Sequence, residues 1–153
     1  MSSPEEKLIE LGLKLPEVPQ PVAAYVPAVR TGNLVYTSGQ LPLRDGTLIA
    51  TGKNGDTVSA EIAVECAQQC ALNAVAAVKA EIGDLAAVKR IVKVVAFVAS
   101  TPGFTGQPQV ANGASELFSQ VFGAAGQHAR SAVGVPVLPL DAPVEVEIIV
   151  EVA

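Results

Sequence analysis

Residue types that commonly carry catalysis or recognition are scarce in this chain. Its 153 residues include no tryptophan, a single histidine, two cysteines and only 16% charged side chains. The formal net charge is −5, and an acidic chain repels the phosphate backbone of nucleic acids. We therefore expect no nucleic-acid partner, and we expect the single histidine, His128, to be a surface loop residue.

Signals for membrane insertion, export and metal binding are also missing from the sequence. No apolar run reaches the roughly 18–20 residues that a transmembrane helix needs, and Met1–Glu10 has no signal-peptide pattern. Cys66 and Cys70 lie one helical turn apart, which suits neither a Cys-x-x-Cys redox pair nor a metal site without nearby histidines. We interpret them as buried free thiols of a cytoplasmic protein.

Apolar residues are what the sequence has in excess, at 50% of the chain, together with 13 glycines and 11 prolines. A small chain of this composition has too little polar surface for a monomer, so we expect an obligate oligomer. Residues 1–20 are predicted to form an N-terminal helix and a proline-rich arm, and residues 21–153 a single domain.

Hydrophobic periodicity and turn residues predict the element order β-β-α-β-α-β-β. This order indicates an α+β fold in which two helices pack on one face of a mixed sheet. Loop 44–56 is expected to hold a small hairpin. The predicted strands are 24–30, 33–40, 90–99 and those of Arg130 and Glu145; the predicted helices run from Asp56 or Thr57 to Ile82 and from Pro108 to Phe122.

Arg130 is the most informative residue, because it is the only charge in the strand from Ala129 to Val135. The two-residue period of a strand places Arg130, Ala132 and Gly134 on one face. A fixed cation beside two such small residues suits a small carboxylate, which arginine binds through two parallel hydrogen bonds.

The last strand, Val144–Val152, alternates valines with carboxylates and can place one of them near Arg130. If it pairs with the Arg130 strand after the short proline-rich link, the sheet face opposite the helices carries Arg130 and Glu145. We expect another subunit to cover that face. The residue types alone favour a different interpretation, a structural Arg–Glu pair at a subunit interface.

Several ordered motifs resemble the Rid/YjgF imine deaminase family, also labelled the endoribonuclease L-PSP family. Their order and spacing carry the resemblance over roughly Pro21–Ala153. The motifs are Tyr25 followed by Gly32-Asn33-Leu34-Val35-Tyr36-Thr37-Ser38-Gly39-Gln40-Leu41-Pro42, then Asn112 with Glu116 and Phe118, and finally Ala129-Arg130-Ser131, Leu138-Pro139 and Val144-Glu145-Val146-Glu147.

The resemblance implies a chorismate-mutase-like homotrimer with sites between subunits. Such proteins hydrolyse reactive enamine or imine intermediates, such as 2-aminoacrylate, to a 2-oxo acid and ammonia without a cofactor. Arg130 matches the arginine that binds the substrate carboxylate, and Glu145 matches the glutamate that orients or activates the attacking water. The implied substrate-binding residues are Tyr25, Ser38, Gly39, Asn112 and Ala132.

Two positions depart from the family pattern and suggest a divergent subgroup. Ala132 stands where the family often has a cysteine, which is harmless if only the backbone amide is used. Gly134 stands where the family often has a carboxylate, and this change implies a larger or emptier pocket.

Three functions are open at this point. An imine deaminase requires Arg130 and Glu145 to face one cleft, whereas a non-catalytic trimer binding small carboxylate metabolites uses Arg130 and tolerates loss of Glu145. A ribonuclease or translation inhibitor is disfavoured, because the chain is acidic and His128 has no second histidine for acid–base work.

Overall fold

The computed structural model describes residues 2–18 and 24–153. Part of the predicted proline-rich arm, and the expected boundary between residues 20 and 21, lie outside the described residues. The predicted element order is confirmed, with the expected hairpin in the glycine-rich loop. The helices are α1 (Pro4–Glu10), α2 (Ala60–Ile82) and α3 (Gln107–Phe122), and the strands are β1 (Ala28–Thr31), β2 (Leu34–Thr37), β3 (Leu43–Arg44), β4 (Thr47–Leu48), β5 (Val88–Ala99), β6 (Ala129–Val135) and β7 (Val144–Val152).

Within residues 2–18 and 24–153, the main sheet is mixed and has five strands in the order β1-β2-β7-β5-β6. Strand β5 pairs in parallel with β6, whereas the other neighbours in this sheet are antiparallel. The parallel pair arises because α3 connects β5 to β6, and a helical crossover returns the chain in the same direction. Strands β3 and β4 form the separate hairpin.

The expected pairing of the Arg130 strand with the last strand is wrong. Strand β5 lies between β6 and β7, and it is hydrogen-bonded to both. Residues 136–143 are long enough to pass over the end of β5, so the short link does not form a hairpin. The long apolar sequence of β5 accounts for its position inside the sheet.

The helices α2 and α3 cover one face of the sheet and enclose the core. Alternate residues of β7 are fully buried beneath them, as are Ile91, Val94, Ala96 and Val98 of β5. The alanine-rich middle of α2 is buried, which confirms the predicted helical stripe there, although Val64 and Ile82 near its ends are only partly buried. Cys66 and Cys70 are free and buried, as expected, and burial raises the pKa of the Cys66 thiol to about 11.

Helix α2 begins later than the sequence pattern predicts. Its N-cap is Ser59, whose Oγ accepts from the backbone N–H of Ile62 at 3.3 Å. The preceding loop is held by buried Asn54, whose Nδ2 donates to Ala99 O at 3.1 Å and Pro143 O at 3.0 Å. Because Asn54 ties this loop to the ends of β5 and β7, Asp56 and Thr57 lie in a turn instead of capping the helix.

The N-terminal helix joins the same core. Ser3 forms a capping box with Glu6, and Leu8 is buried in the main hydrophobic cluster. Glu5 accepts from the backbone N–H of Leu85 at 2.9 Å. No helix in the described part of the chain is long and apolar enough to cross a membrane.

Gly113 allows α2 and α3 to pack closely. A Cβ at this position would overlap the carbonyl oxygen of Val64 on α2. Because this overlap would involve a backbone oxygen, no change of side-chain rotamer can relieve it.

We expect Gly113→Ala to destabilise the fold by about 1–3 kcal/mol, despite the better helix propensity of alanine, because the helices must move apart. Urea denaturation measures this difference. Gly103→Ala is the control, since residue 103 is exposed and open space surrounds its Cβ position. Equal stability of both variants and the wild type would contradict the close-packing argument.

Candidate active site

The sequence-predicted site residues separate into two clusters in one chain. The glutamate cluster comprises Tyr25, Ser38, Gly39 and Glu145, near one end of β2 and β7. The arginine cluster lies between α3 and the edge strand β6, and it comprises the predicted Asn112, Arg130 and Ala132 together with Ser115 and His128, which were not predicted.

In the glutamate cluster, a glycine makes room for the carboxylate. A Cβ at Gly39 would overlap the Glu145 carboxylate, so the side chain of Glu145 lies directly against the backbone of residue 39. Gln40 and Val146 exchange backbone hydrogen bonds of 2.8 and 3.0 Å, which hold the two segments in register. Any larger residue at position 39 would displace the carboxylate.

Ser38 ties the Tyr25 segment to the end of β2. Its Oγ donates to Val26 O at 2.6 Å, and its backbone N–H donates to Pro27 O at 2.8 Å. Tyr25, next to this anchor, is 61% exposed. Ser38 is thus a structural anchor in the isolated chain, and Tyr25 has its surface free for another molecule.

Glu145 has an environment that favours its protonated form. Partial burial raises the pKa of its carboxyl above the usual glutamate value, and repulsion from Glu147 on the same strand adds to the shift. A carboxylate of raised pKa is a stronger base than ordinary glutamate. This property suits a group that takes a proton from water.

In the arginine cluster, α3 positions the guanidinium. One nitrogen of Arg130, Nη1, donates to Asn112 Oδ1 at 2.8 Å and to Ser115 Oγ at 3.1 Å. Asn112 and Ser115 are three residues apart and therefore share one face of α3. Ala132 lies on the same strand face as Arg130 and packs against the core.

His128 lies in the loop before β6, as expected, but it is half-buried and part of this cluster instead of a surface residue. Its Nε2 lies 2.8 Å from Ser115 Oγ, and its Nδ1 lies 2.6 Å from Gly126 O. The ring stacks edge-on against buried Phe118, with ring centroids 5.8 Å apart. Ser115 and His128 were not predicted, although Ser115 lies one turn after Asn112 and His128 lies two residues before Arg130.

The expectation of an emptier pocket at Gly134 is also wrong. A Cβ at this position would lie 2.8 Å from Gln107 Nε2, so the Gln107 amide already occupies that space. The amide is held there, because Nε2 donates to Phe104 O at 2.8 Å and to Ser100 Oγ at 3.3 Å. The space that a carboxylate side chain at position 134 would fill is therefore filled by the Gln107 side chain from α3.

Arg130 and Glu145 do not share a face of the sheet, contrary to expectation. Arg130 is in register with Val94, which is buried beneath the helices, whereas Glu145 is in register with Phe97 on the open face. The strands β6 and β7 are about 9–10 Å apart, since β5 separates them. Within one chain, these two side chains therefore cannot contact one small substrate together.

The α+β architecture, with two helices on one face of a mixed sheet, defines the class of fold. The chain belongs to the family described as "YjgF/chorismate_mutase-like, putative endoribonuclease", which matches residues 5–152. The fold is accordingly chorismate-mutase-like, as the resemblance implied.

Individual relatives are similar over most of their length. The chain is 46% identical to protein TCP17 of Trypanosoma cruzi, covering 94% of this chain and 91% of the relative. It is 36% identical to a 2-iminobutanoate/2-iminopropanoate deaminase of Dermatophagoides farinae, covering 90% and 93%. The crystal structure of Atu1372 from Agrobacterium tumefaciens has a TM-score of 0.92 at 46% identity, covering 98% and 93%.

We expect Glu145→Gln to raise the melting temperature at neutral pH. A glutamate whose pKa is raised by folding contributes stability below its unfolded pKa, and this contribution is lost as pH rises through the folded value. The gain of the glutamine variant should therefore be largest above the folded pKa of Glu145 and should vanish in acid.

Thermal unfolding of wild type and variant across a pH series measures this effect. Glu116→Gln on the exposed side of α3 is the matched control, and a surface change of this kind usually alters stability by less than about 0.5 kcal/mol. A lower melting temperature for Glu145→Gln at neutral pH would contradict the assignment of an unfavourable charge.

Proposed function

We propose that this protein hydrolyses small 2-imino acids in a homotrimer, at sites that join the arginine cluster of one subunit to the glutamate cluster of the next. The single observation that carries the proposal is the separation of Arg130 and Glu145 on opposite faces of one sheet. Each cluster is half of a hydrolytic site, and a second copy of the chain supplies the other half.

The open face of the sheet supports assembly. It exposes Val29, Tyr36 and Val133, which are 52%, 43% and 45% accessible, around the partly buried Phe97 and Ile149. Val29, Tyr36 and Ile149 are in register in one row across the sheet, and Phe97 and Val133 are in register in a second row. The row between them contains Glu147, so the face combines apolar side chains with carboxylates. A surface of this kind is typical of a protein–protein interface.

The chemistry of the two clusters matches imine hydrolysis. Arg130 binds the substrate carboxylate and thereby fixes the position of the imine carbon. Glu145 takes a proton from water as the water oxygen bonds to that carbon, and the proton passes on to the nitrogen. The product of this addition is a carbinolamine, and Glu145 then transfers the proton of its hydroxyl group to the amino nitrogen. The carbon–oxygen double bond forms as the carbon–nitrogen bond breaks, so ammonia leaves, a 2-oxo acid remains, and one water is consumed with no net oxidation or reduction.

The Dermatophagoides farinae relative, named a 2-iminobutanoate/2-iminopropanoate deaminase, supports this reaction for the chain. Endoribonuclease chemistry is less well supported. Both ring nitrogens of His128, the single histidine, are already engaged within the chain, and the net charge is −5. The second candidate, a non-catalytic trimer that binds small carboxylates, uses the arginine cluster alone.

We expect Arg130→Ala to weaken binding of 2-oxo acids roughly ten- to a hundredfold, because one charge-assisted hydrogen-bonded pair is lost. Glu145→Gln should slow hydrolysis of freshly generated 2-imino acids by about 10²–10⁴-fold while 2-oxo acid binding persists. Titration calorimetry and ammonia release measure the two quantities on the same preparations.

The pattern of losses decides between the candidates. If wild type binds 2-oxo acids but releases no ammonia from imines, the protein is a carboxylate binder. If Arg130→Ala binds as tightly as wild type, the arginine is not part of the site.

We expect activity to return when inactive Arg130→Ala and Glu145→Gln subunits are unfolded, mixed and refolded together. A site built from two subunits is intact wherever Arg130 of a Glu145→Gln chain meets Glu145 of an Arg130→Ala chain. In a cyclic trimer with random equal mixing, about one quarter of the sites have this composition.

Light scattering on the same samples reports whether the assembly is trimeric. Refolding each variant alone is the control, and it should give no activity. A trimer that stays inactive after mixing would place both residues in a single subunit, whereas a monomer at micromolar concentration would overturn the shared site itself.

A further inference from the structure

The hydrogen bonds of Arg130 leave one edge of its guanidinium available. Nη1 has two N–H groups, and these are used by Asn112 Oδ1 and Ser115 Oγ. Among the described residues, the recorded hydrogen bonds of Arg130 use Nη1 only. The Nε and Nη2 groups point the same way from the planar guanidinium, so they form a parallel pair of donors for one carboxylate.

His128 determines how Ser115 can bind Arg130. The carbonyl of Gly126 can only accept, so Nδ1 of His128 carries a hydrogen and donates to it. In the neutral ring, Nε2 is then an acceptor, and it takes the hydroxyl hydrogen of Ser115 at 2.8 Å. The oxygen of Ser115 consequently turns its lone pairs toward the Arg130 N–H at 3.1 Å.

We propose that Ser115 and His128 are positioning residues that hold Arg130 so that its Nε–Nη2 edge binds the substrate carboxylate side-on. The chain of contacts runs in one direction, from Arg130 N–H to Ser115 O–H, to His128 Nε2, and from His128 Nδ1–H to Gly126 O. Each donor in it has an acceptor. The proposal rests on the proposed function, since it assigns the carboxylate-binding role to Arg130.

The packing around His128 keeps this arrangement stiff. Phe118, which contacts the ring edge-on, is fully buried in the core. Gly126 is also buried, and a Cβ there would overlap the Phe118 carbonyl, so the carbonyl that orients His128 is held against the end of α3. A long and flexible arginine is thereby connected to the rigid core through two short side chains.

The first test compares pairs of variants by pyruvate binding and imine hydrolysis. Ser115→Ala removes the contact to Arg130 but leaves the Asn112 contact and the ligand-binding edge in place, so we expect only about two- to tenfold weaker binding, together with a lower kcat. Ser115→Thr keeps the hydroxyl and should restore both. Ser119→Ala, one turn later on the exposed side of α3, is the matched control and should behave as wild type.

Two substitutions of His128 separate its two contacts. Asparagine can replace the Nδ1 donor to Gly126 but offers nothing at the Nε2 position, whereas glutamine can present an acceptor to Ser115. If His128 positions Arg130, the glutamine variant should retain more binding and turnover than the asparagine variant. If His128 only stabilises the fold through its contacts with Gly126 and Phe118, the asparagine variant, which keeps the Gly126 hydrogen bond, should retain more binding and turnover than the glutamine variant.

The second test uses the fact that the chain has one histidine. In ¹⁵N spectra of the wild-type protein at a pH where the ring is neutral, we expect the hydrogen on Nδ1 and an unprotonated Nε2. Pyruvate should shift the Nε2 resonance in wild type and leave it unchanged in Ser115→Ala. A hydrogen on Nε2 in the neutral ring would overturn the proposal even if every variant failed to fold.

The outcomes distinguish this proposal from the one on which it rests. If Arg130→Ala binds pyruvate like wild type, the carboxylate site itself is misplaced. If Arg130→Ala loses binding while Ser115→Ala and His128→Asn match wild type in affinity, kcat and KM, the positioning role is overturned and the proposed function stands.

Discussion

The position of β5 between β6 and β7 is the constraint on which the rest of the structure depends. Its buried residues pack beneath α3, and its parallel pairing with β6 follows from the α3 crossover. Because of this arrangement, Arg130 lies at the edge of the sheet on the helix side, and Glu145 lies two strands away on the open side. The proposed shared site therefore requires a second copy of the chain, which can contact the exposed apolar side chains Val29, Tyr36 and Val133 on the open face.

Arg130 is held by neutral groups, and this matters for its charge. Asn112 and Ser115 accept its hydrogen bonds without neutralising it, whereas a carboxylate in the same place would compete with any anionic ligand. Among the described residues Arg130 forms no salt bridge, and an Arg–Glu pair across a subunit interface stays a prediction. The two hydrogen bonds leave the positive charge of Arg130 in place, as the proposed binding of a small carboxylate requires.

Glycines shape both clusters by allowing polar side chains to approach the backbone. Gly39 lets the Glu145 carboxylate lie against the chain, and Gly134 makes room for the Gln107 amide. The second case shows why a pocket cannot be judged from one position. The missing side chain at 134 is replaced by one from a different element, 27 residues earlier in the chain. The space near Arg130 is therefore lined by a glutamine amide from α3 and is not emptier.

The sequence by itself determined the elements, the fold class and the family, because these depend on local signals. Periodicity, turn residues and the ordered motifs around Ser38, Arg130 and Glu145 are all short-range patterns. Strand order, the faces that Arg130 and Glu145 occupy, and the inclusion of Ser115 and His128 were decided only by the tertiary structure. Each of these depends on which distant segments pack together. Strand β5 set that outcome, because it lies between the two strands that the short link was expected to pair.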